Sequence, residues 1–153
     1  MRRVSQSFRV TVIYHTFMLV DSDGLGVVPA QDVTPLPARF TAASPNIVVI
    51  MSNFDTHNAE VVIEAWDEPP PLELMENVDA EEDIVNFSSG ILNAATPAGG
   101  PVSAAIDLER PAMTWNLRVY RQDLYPDLDP GDESLDDVDD LERYLIQLWP
   151  THN

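Results

Sequence analysis

The chain has 153 residues, 44% of them apolar, and a formal net charge of −18, from 26 carboxylates against eight basic residues that are all arginine. That length suits one domain with a core of its own, and the clustering of Val, Ile, Trp and Phe argues against disorder in spite of the charge. The charge excludes a nucleic-acid surface and an anionic-membrane surface, and the absence of cysteine excludes disulfides and thiolate metal sites. The start, MRRVSQSFRV, carries no apolar signal core, and no run reaches the roughly 18 apolar residues that span a bilayer. The expectation is a single domain over 1–153, cytoplasmic, with residues 1–7 flexible. Basic residues that are all arginine also suit a high-GC bacterial genome.

In chain order, Phe8, Val10, Val12, Tyr14, Met18 and Val20 share one face of a period-two pattern broken only by Thr16. This predicts one strand, half-exposed at its start and covered on both faces later. Asp21–Gly26 (DSDGLG) is a turn, and the prolines between Pro29 and Pro45 make a loop with room for a short strand near Arg39–Ala42. Ile47–Met51 is an unbroken β-branched run, a buried strand. Asn53–Asn58 turns the chain, Glu60–Trp66 alternates, and the pair predicts a hairpin. Leu72–Val78 and Ile84–Leu92 are weaker strands.

Ala94–Pro101 (AATPAGGP) reads as loop. Val102–Leu108 and Trp115–Tyr120 both alternate cleanly and predict a strand pair with one apolar and one wet face. Residues 123–141 are an acidic loop in which Ser134 could cap a short helix near 134–141, and Arg143–Trp149 follows as a strand. Short strands separated by turn signals predict an all-β sandwich of two antiparallel sheets.

Three segments carry a resemblance: Val12–Val20 (VIYHTFMLV), the stretch around Ile47–Trp66, and Glu142–Pro150 (ERYLIQLWP). They resemble a bacterial β-sandwich family that includes the competence-associated inhibitor of the DNA-uptake nuclease and uncharacterised actinobacterial relatives. The resemblance implies the sandwich fold and an inhibitor's role. It transfers no inhibitory residues position by position, and the long acidic insert departs from it.

The carboxylates fall into two blocks. Nine of the twenty residues from Glu64 to Asp83 are acidic and none is basic; from Asp123 to Glu142 the count is ten and none. A localised negative field of this kind attracts a basic protein and speeds its arrival. The second block also holds Leu124, Tyr125 and Leu128, apolar anchors among charges. The expected partner-binding residues are therefore Asp123, Tyr125, Asp127, Asp129, Asp132, Glu133, Asp136, Asp137, Asp139 and Asp140. Their partner would be a basic protein, a nuclease or toxin, with the chain acting as inhibitor or immunity protein. In a sandwich both blocks could gather at one end.

Two other readings compete: an adaptor sandwich whose acidity only solubilises, and a divalent-cation binder. For the latter, an EF-hand started at Asp127 puts Gly131 at position five and Val138 at twelve, so the motif fails. His15, His57 and His152 share no metal-ligand spacing. His15 reads as a packed or edge residue and His57 as a solvated turn residue, while Trp66, Trp115 and Trp149 read as core. With no nucleophile elbow and no P-loop, the sequence predicts no enzyme, no metal and no cofactor.

Overall fold

The computed structural model describes residues 1–24, 33–96, 99–136 and 138–151. Ten strands dominate: β1 (Arg2–Val12), β2 (Thr16–Asp21), β3 (Thr41–Ser44), β4 (Ile47–Met51), β5 (His57–Trp66), β6 (Val78–Phe87), β7 (Ile91–Thr96), β8 (Gly99–Asp107), β9 (Met113–Asp123) and β10 (Glu142–Pro150). They form two five-stranded sheets, one in the order β1-β5-β10-β9-β6 and the other β3-β4-β2-β7-β8. The pairings are antiparallel except for β5 with β10. The expected sandwich is what the chain builds. Among the described residues no helix is long and apolar enough to cross a membrane.

Alternating side chains explain the packing. Val61 and Ile63 of β5, Leu117 and Val119 of β9, and Tyr144, Ile146 and Leu148 of β10 meet Phe17, Leu19, Val48 and Ile50 of the facing sheet in one core. Trp115 belongs to that core at 1% exposure, on the face expected of it. On the second sheet the other parity is covered too: Met18, Val20, Ile47 and Val49 pack with Val33 in a smaller cluster. This is why Ile47–Met51 reads as continuously apolar.

Several local expectations change. The single strand through Val20 breaks at Tyr14–His15, both at positive φ, and its halves lie in different sheets. Ile47–Met51 and His57–Trp66 are not a hairpin but a crossing between sheets, and the same holds for β8 and β9. Residues 72–77 are not strand, and the short strand expected at Arg39–Ala42 runs Thr41–Ser44. The loop expected at Ala94–Pro101 is mostly β7 and β8, with residues 97–98 outside the described set. Residues 1–7 lie largely in β1, where Arg2–Ser7 run against Trp66–Val62. The helix expected at 134–141 is a 3-10 turn, Glu133–Leu135.

Candidate functional site

Strand direction decides what shares an end of the molecule. In the first sheet β1 and β9 finish where β5, β6 and β10 begin. That end collects the β1–β2 turn at 13–15, the β4–β5 loop at 52–56, the approach to β6 at 73–77, and the acidic connection 124–141.

The acidic connection is tied at its root. Leu124 N–H donates to the Leu141 carbonyl at 3.1 Å, Asp123 N–H to Asn77 at 2.9 Å, and Asp140 N–H to Asn58 at 2.9 Å. Some carboxylates are spent on the loop itself. Asp123 accepts from the Tyr125 N–H and Asp129 from the Gly131 N–H, each at 2.9 Å. Asp132 accepts from the Ser134 N–H and hydroxyl at 2.9 and 2.8 Å, and these bonds hold its carboxyl below the ordinary carboxylate range. Asp139 accepts from the Asn58 amide at 2.9 Å, and Asp140 pairs with Arg9 at 2.9 Å. Asp127, Glu133 and Asp136 are exposed and engage no other described side chain. Tyr125 is 51% exposed and Leu128 39%. Asp137 lies outside the described residues.

The first acidic block behaves differently. Glu64 pairs with Arg2, Asp67 with Arg110, Asp79 with Arg121, Glu81 and Asp83 with Arg39, and Glu82 with Arg118. Glu68 takes the chain's terminal amine. Glu81 also accepts from the Phe40 and Thr41 N–H groups at 2.9 and 3.0 Å, fastening β6 to β3 across the sandwich edge. Glu73 and Glu76 alone have no cation among the described residues. Glu76 lies beside the root of the second block, its carbonyl accepting from the Gln122 amide at 3.3 Å next to the Asp123–Asn77 bond. The composite surface expected of the two blocks thus reduces to the second block plus this short stretch of the first. A groove of about 580 Å³ opens nearby, lined by Phe40, Met51, Ser52, Asp79, Glu81 and Arg121, its charged side chains paired with one another.

Beneath this end lies a buried polar cluster that corrects the reading of His57. Its polar neighbourhood in sequence (NFDTHN) suggested a solvated turn, yet its side chain is fully buried beside Glu142, Nε2 to Oε1 at 3.6 Å. Ser52 Oγ donates to Glu142 Oε1, as does the Tyr144 hydroxyl at 2.6 Å, and Asn53 N–H reaches Oε2 at 3.2 Å. Ser52 Oγ in turn accepts from the Phe54 N–H at 2.9 Å and meets His57 Nε2 at 2.9 Å. With the Ser52 proton committed to Glu142, Nε2 is the donor of that pair. Burial outweighs Glu142's attraction and keeps His57 below its ordinary 6.5, and burial with Glu142's charge pushes Tyr144 well above 10.

Ser52, His57 and Glu142 have the residue types of a hydrolytic triad but not its arrangement. A triad places acid and nucleophile on opposite ring nitrogens; here both sit at Nε2, and Nδ1 has no partner. Ser52 Oγ gives its proton and accepts twice, leaving no free lone pair to attack. Among the described residues no group of three or more His, Asp or Glu is placed to hold a metal ion.

No protein-family model matches the chain, and no curated protein matches it in sequence. Among solved structures it is similar to ComJ, inhibitor of the DNA degrading activity of NucA, from Bacillus subtilis, with 11% identity, a TM-score of 0.62 and 99% of each chain covered. It is also similar to the protein described as crocagin biosynthetic gene J, with 15% identity, a TM-score of 0.55, and coverage of 97% of this chain and 98% of that one. At these identities the likeness is one of fold, and it agrees with the resemblance carried by the opening, middle and closing motifs.

Proposed function

We propose that the chain is a non-catalytic inhibitor or immunity protein that blocks a basic partner, a nuclease or toxin, through the end that carries residues 123–141. One observation carries this reading: the uneven division of the arginines. Arg2, Arg39, Arg110, Arg118 and Arg121 all pair within the first block, whereas among described ion pairs the second block has only Arg9. Neutralising one block and leaving the other open concentrates the field at one end. Carboxylates there stand in for the phosphates a nuclease cleft binds, and steering brings a basic partner in quickly at low salt. The fold likeness to an inhibitor of a DNA-degrading activity supports the same role, and the saturated Ser52 hydroxyl favours a non-catalytic one.

Two alternatives make different predictions. Acidity that only solubilises would need no ordered root for the loop, and a cation binder would gather ligands at one point. The test immobilises the chain and passes the source organism's lysate over it at low and high salt. The expected result is a basic protein retained at low salt, released at high salt, and inhibited by added chain. Retention of nothing basic, or equal retention by a variant carrying Asp127→Asn, Glu133→Gln and Asp136→Asn, would assign the block to solubility.

A further inference from the structure

Beside the acidic loop, the chain crosses from one sheet to the other in only three residues, 13–15. Ile13 and Thr16 exchange backbone bonds at 3.1 and 3.0 Å, and between them Tyr14 and His15 have φ of 54° and 62°. Two positive φ values define the I′ geometry, which Asn-Gly fits and bulky residues do not. Both positions therefore carry backbone strain.

The two residues differ in what they return to the fold. His15 is pinned: its N–H donates to Asp55 at 2.9 Å, its carbonyl accepts from the Ser52 N–H at 2.7 Å, and its ring Nδ1 meets the Ser52 carbonyl at 3.2 Å. Tyr14 is tied only through its backbone, its carbonyl accepting from the Thr16 hydroxyl at 2.9 Å. The residue is 69% exposed, and neither a side-chain hydrogen bond nor a ring contact ties its phenol to a described residue. A large aromatic residue thus occupies a strained position and points away from the core that would reward it.

We infer that Tyr14 is an aromatic anchor for the partner, displayed by the strained turn at the edge of the acidic end. This assignment rests on the inhibitor reading and names a residue outside the 123–141 loop for the same interface. The root that fixes the turn also fixes the loop, because Ser52 binds both His15 and Glu142, where the loop rejoins β10. Ring and carboxylates are therefore presented by one rigid unit to one partner. Asp55 puts a carboxylate on the turn itself, 3.7 Å from the His15 ring, and the acidic connection 124–141 leaves the sheet at the same end. The matching feature is an apolar pocket rimmed by Arg or Lys, which takes the ring by burial and cation–π contact.

Tyr14→Asn and Tyr14→Phe test the assignment, with the basic protein eluted by salt from the immobilised wild-type chain as the probe. Asn tolerates positive φ, so Tyr14→Asn is expected to raise the melting temperature by roughly 2 °C. It should also speed dissociation of the probe about tenfold or more while association changes little. Tyr14→Phe should keep slow dissociation. A lower melting temperature in Tyr14→Asn would mean that the ring serves the fold, and unchanged dissociation would remove the anchor; either overturns the inference. Slower association in the Asp127/Glu133/Asp136 variant together with unchanged dissociation in Tyr14→Asn would sink the anchor and leave the inhibitor reading standing. A wild-type chain that retains no basic protein would overturn both.

Discussion

Glu142 is a buried carboxylate whose nearest partners are two hydroxyls, a backbone N–H and an imidazole held neutral by burial. The pH dependence of stability follows from that pairing. An unfolded histidine takes its proton near 6.5, while folded His57 resists it, so below that pH the unfolded state binds more protons and is favoured. Stability is expected to be fully present above about pH 6.5 and to decline as pH falls through the window below it. His57→Gln should flatten that limb, which urea unfolding between about pH 7 and 5 would show; an unchanged slope would place the titrating group elsewhere. Trp115 makes a plainer case. It is fully buried in the main core, and Trp115→Ala should cost about 3–5 kcal/mol in chemical denaturation. The sequence showed Trp115 because its neighbours Leu117 and Val119 repeat at the strand period. It hid His57 because burial there depends on Glu142, 85 residues away in the chain.

At the scale of elements, periodicity exposed strands but not their partners. Ile47–Met51 and β10 fall where the alternation puts them, yet two expected pairs divide between sheets, since an alternating pattern reports a buried face and not which strand lies beside it. The outer face of the first sheet shows a related limit. Glu64, Gln147 and Arg118 look like the wet side of their strands, but register aligns them on neighbouring strands. They form a row with Arg2 and Glu82: Arg2 to Glu64 at 3.0 Å, Gln147 to Glu64 at 3.1 Å, Arg118 to Gln147 at 3.4 Å and Arg118 to Glu82 at 3.8 Å. Arg118 also bonds the Pro70 carbonyl, and Tyr120 accepts from the Glu73 N–H, so the proline-rich crossing from β5 to β6 roofs the row and buries its centre. Gln147→Ala should then cost about 1–3 kcal/mol, because it strips a buried acceptor and donor of their partner. Glu82→Gln, at the exposed end, should change stability by less than about 1 kcal/mol. Equal effects in thermal unfolding would contradict the graded burial along the row.

For the whole molecule, the net charge of −18 hides a division that only folding creates. Both acidic blocks were evident in the sequence, but which of them stays unneutralised depends on where each arginine lands, and that is a property of strand order. Arg39 lies just before β3 and reaches Glu81 and Asp83 on β6, so first-block carboxylates fasten one sheet to the other. In the second block Asp139 and Asp140 secure the loop's root, whereas the carboxylates of Asp127, Glu133 and Asp136 engage no other described side chain. Two substitutions therefore separate the roles. Arg39→Gln should lower stability by about 1–2 kcal/mol, by leaving the Glu81 and Asp83 carboxylates without their cation. The variant carrying Asp127→Asn, Glu133→Gln and Asp136→Asn should hold or raise the melting temperature as like charges are removed. Against the basic protein recovered from the immobilised chain, it should associate several-fold more slowly, with a shallower dependence on salt. Dissociation should change less than association, since exposed carboxylates steer the encounter while desolvated contacts hold the complex. Faster dissociation with unchanged association would reverse that assignment, and a drop in melting temperature would show that these three carboxylates hold the loop's shape.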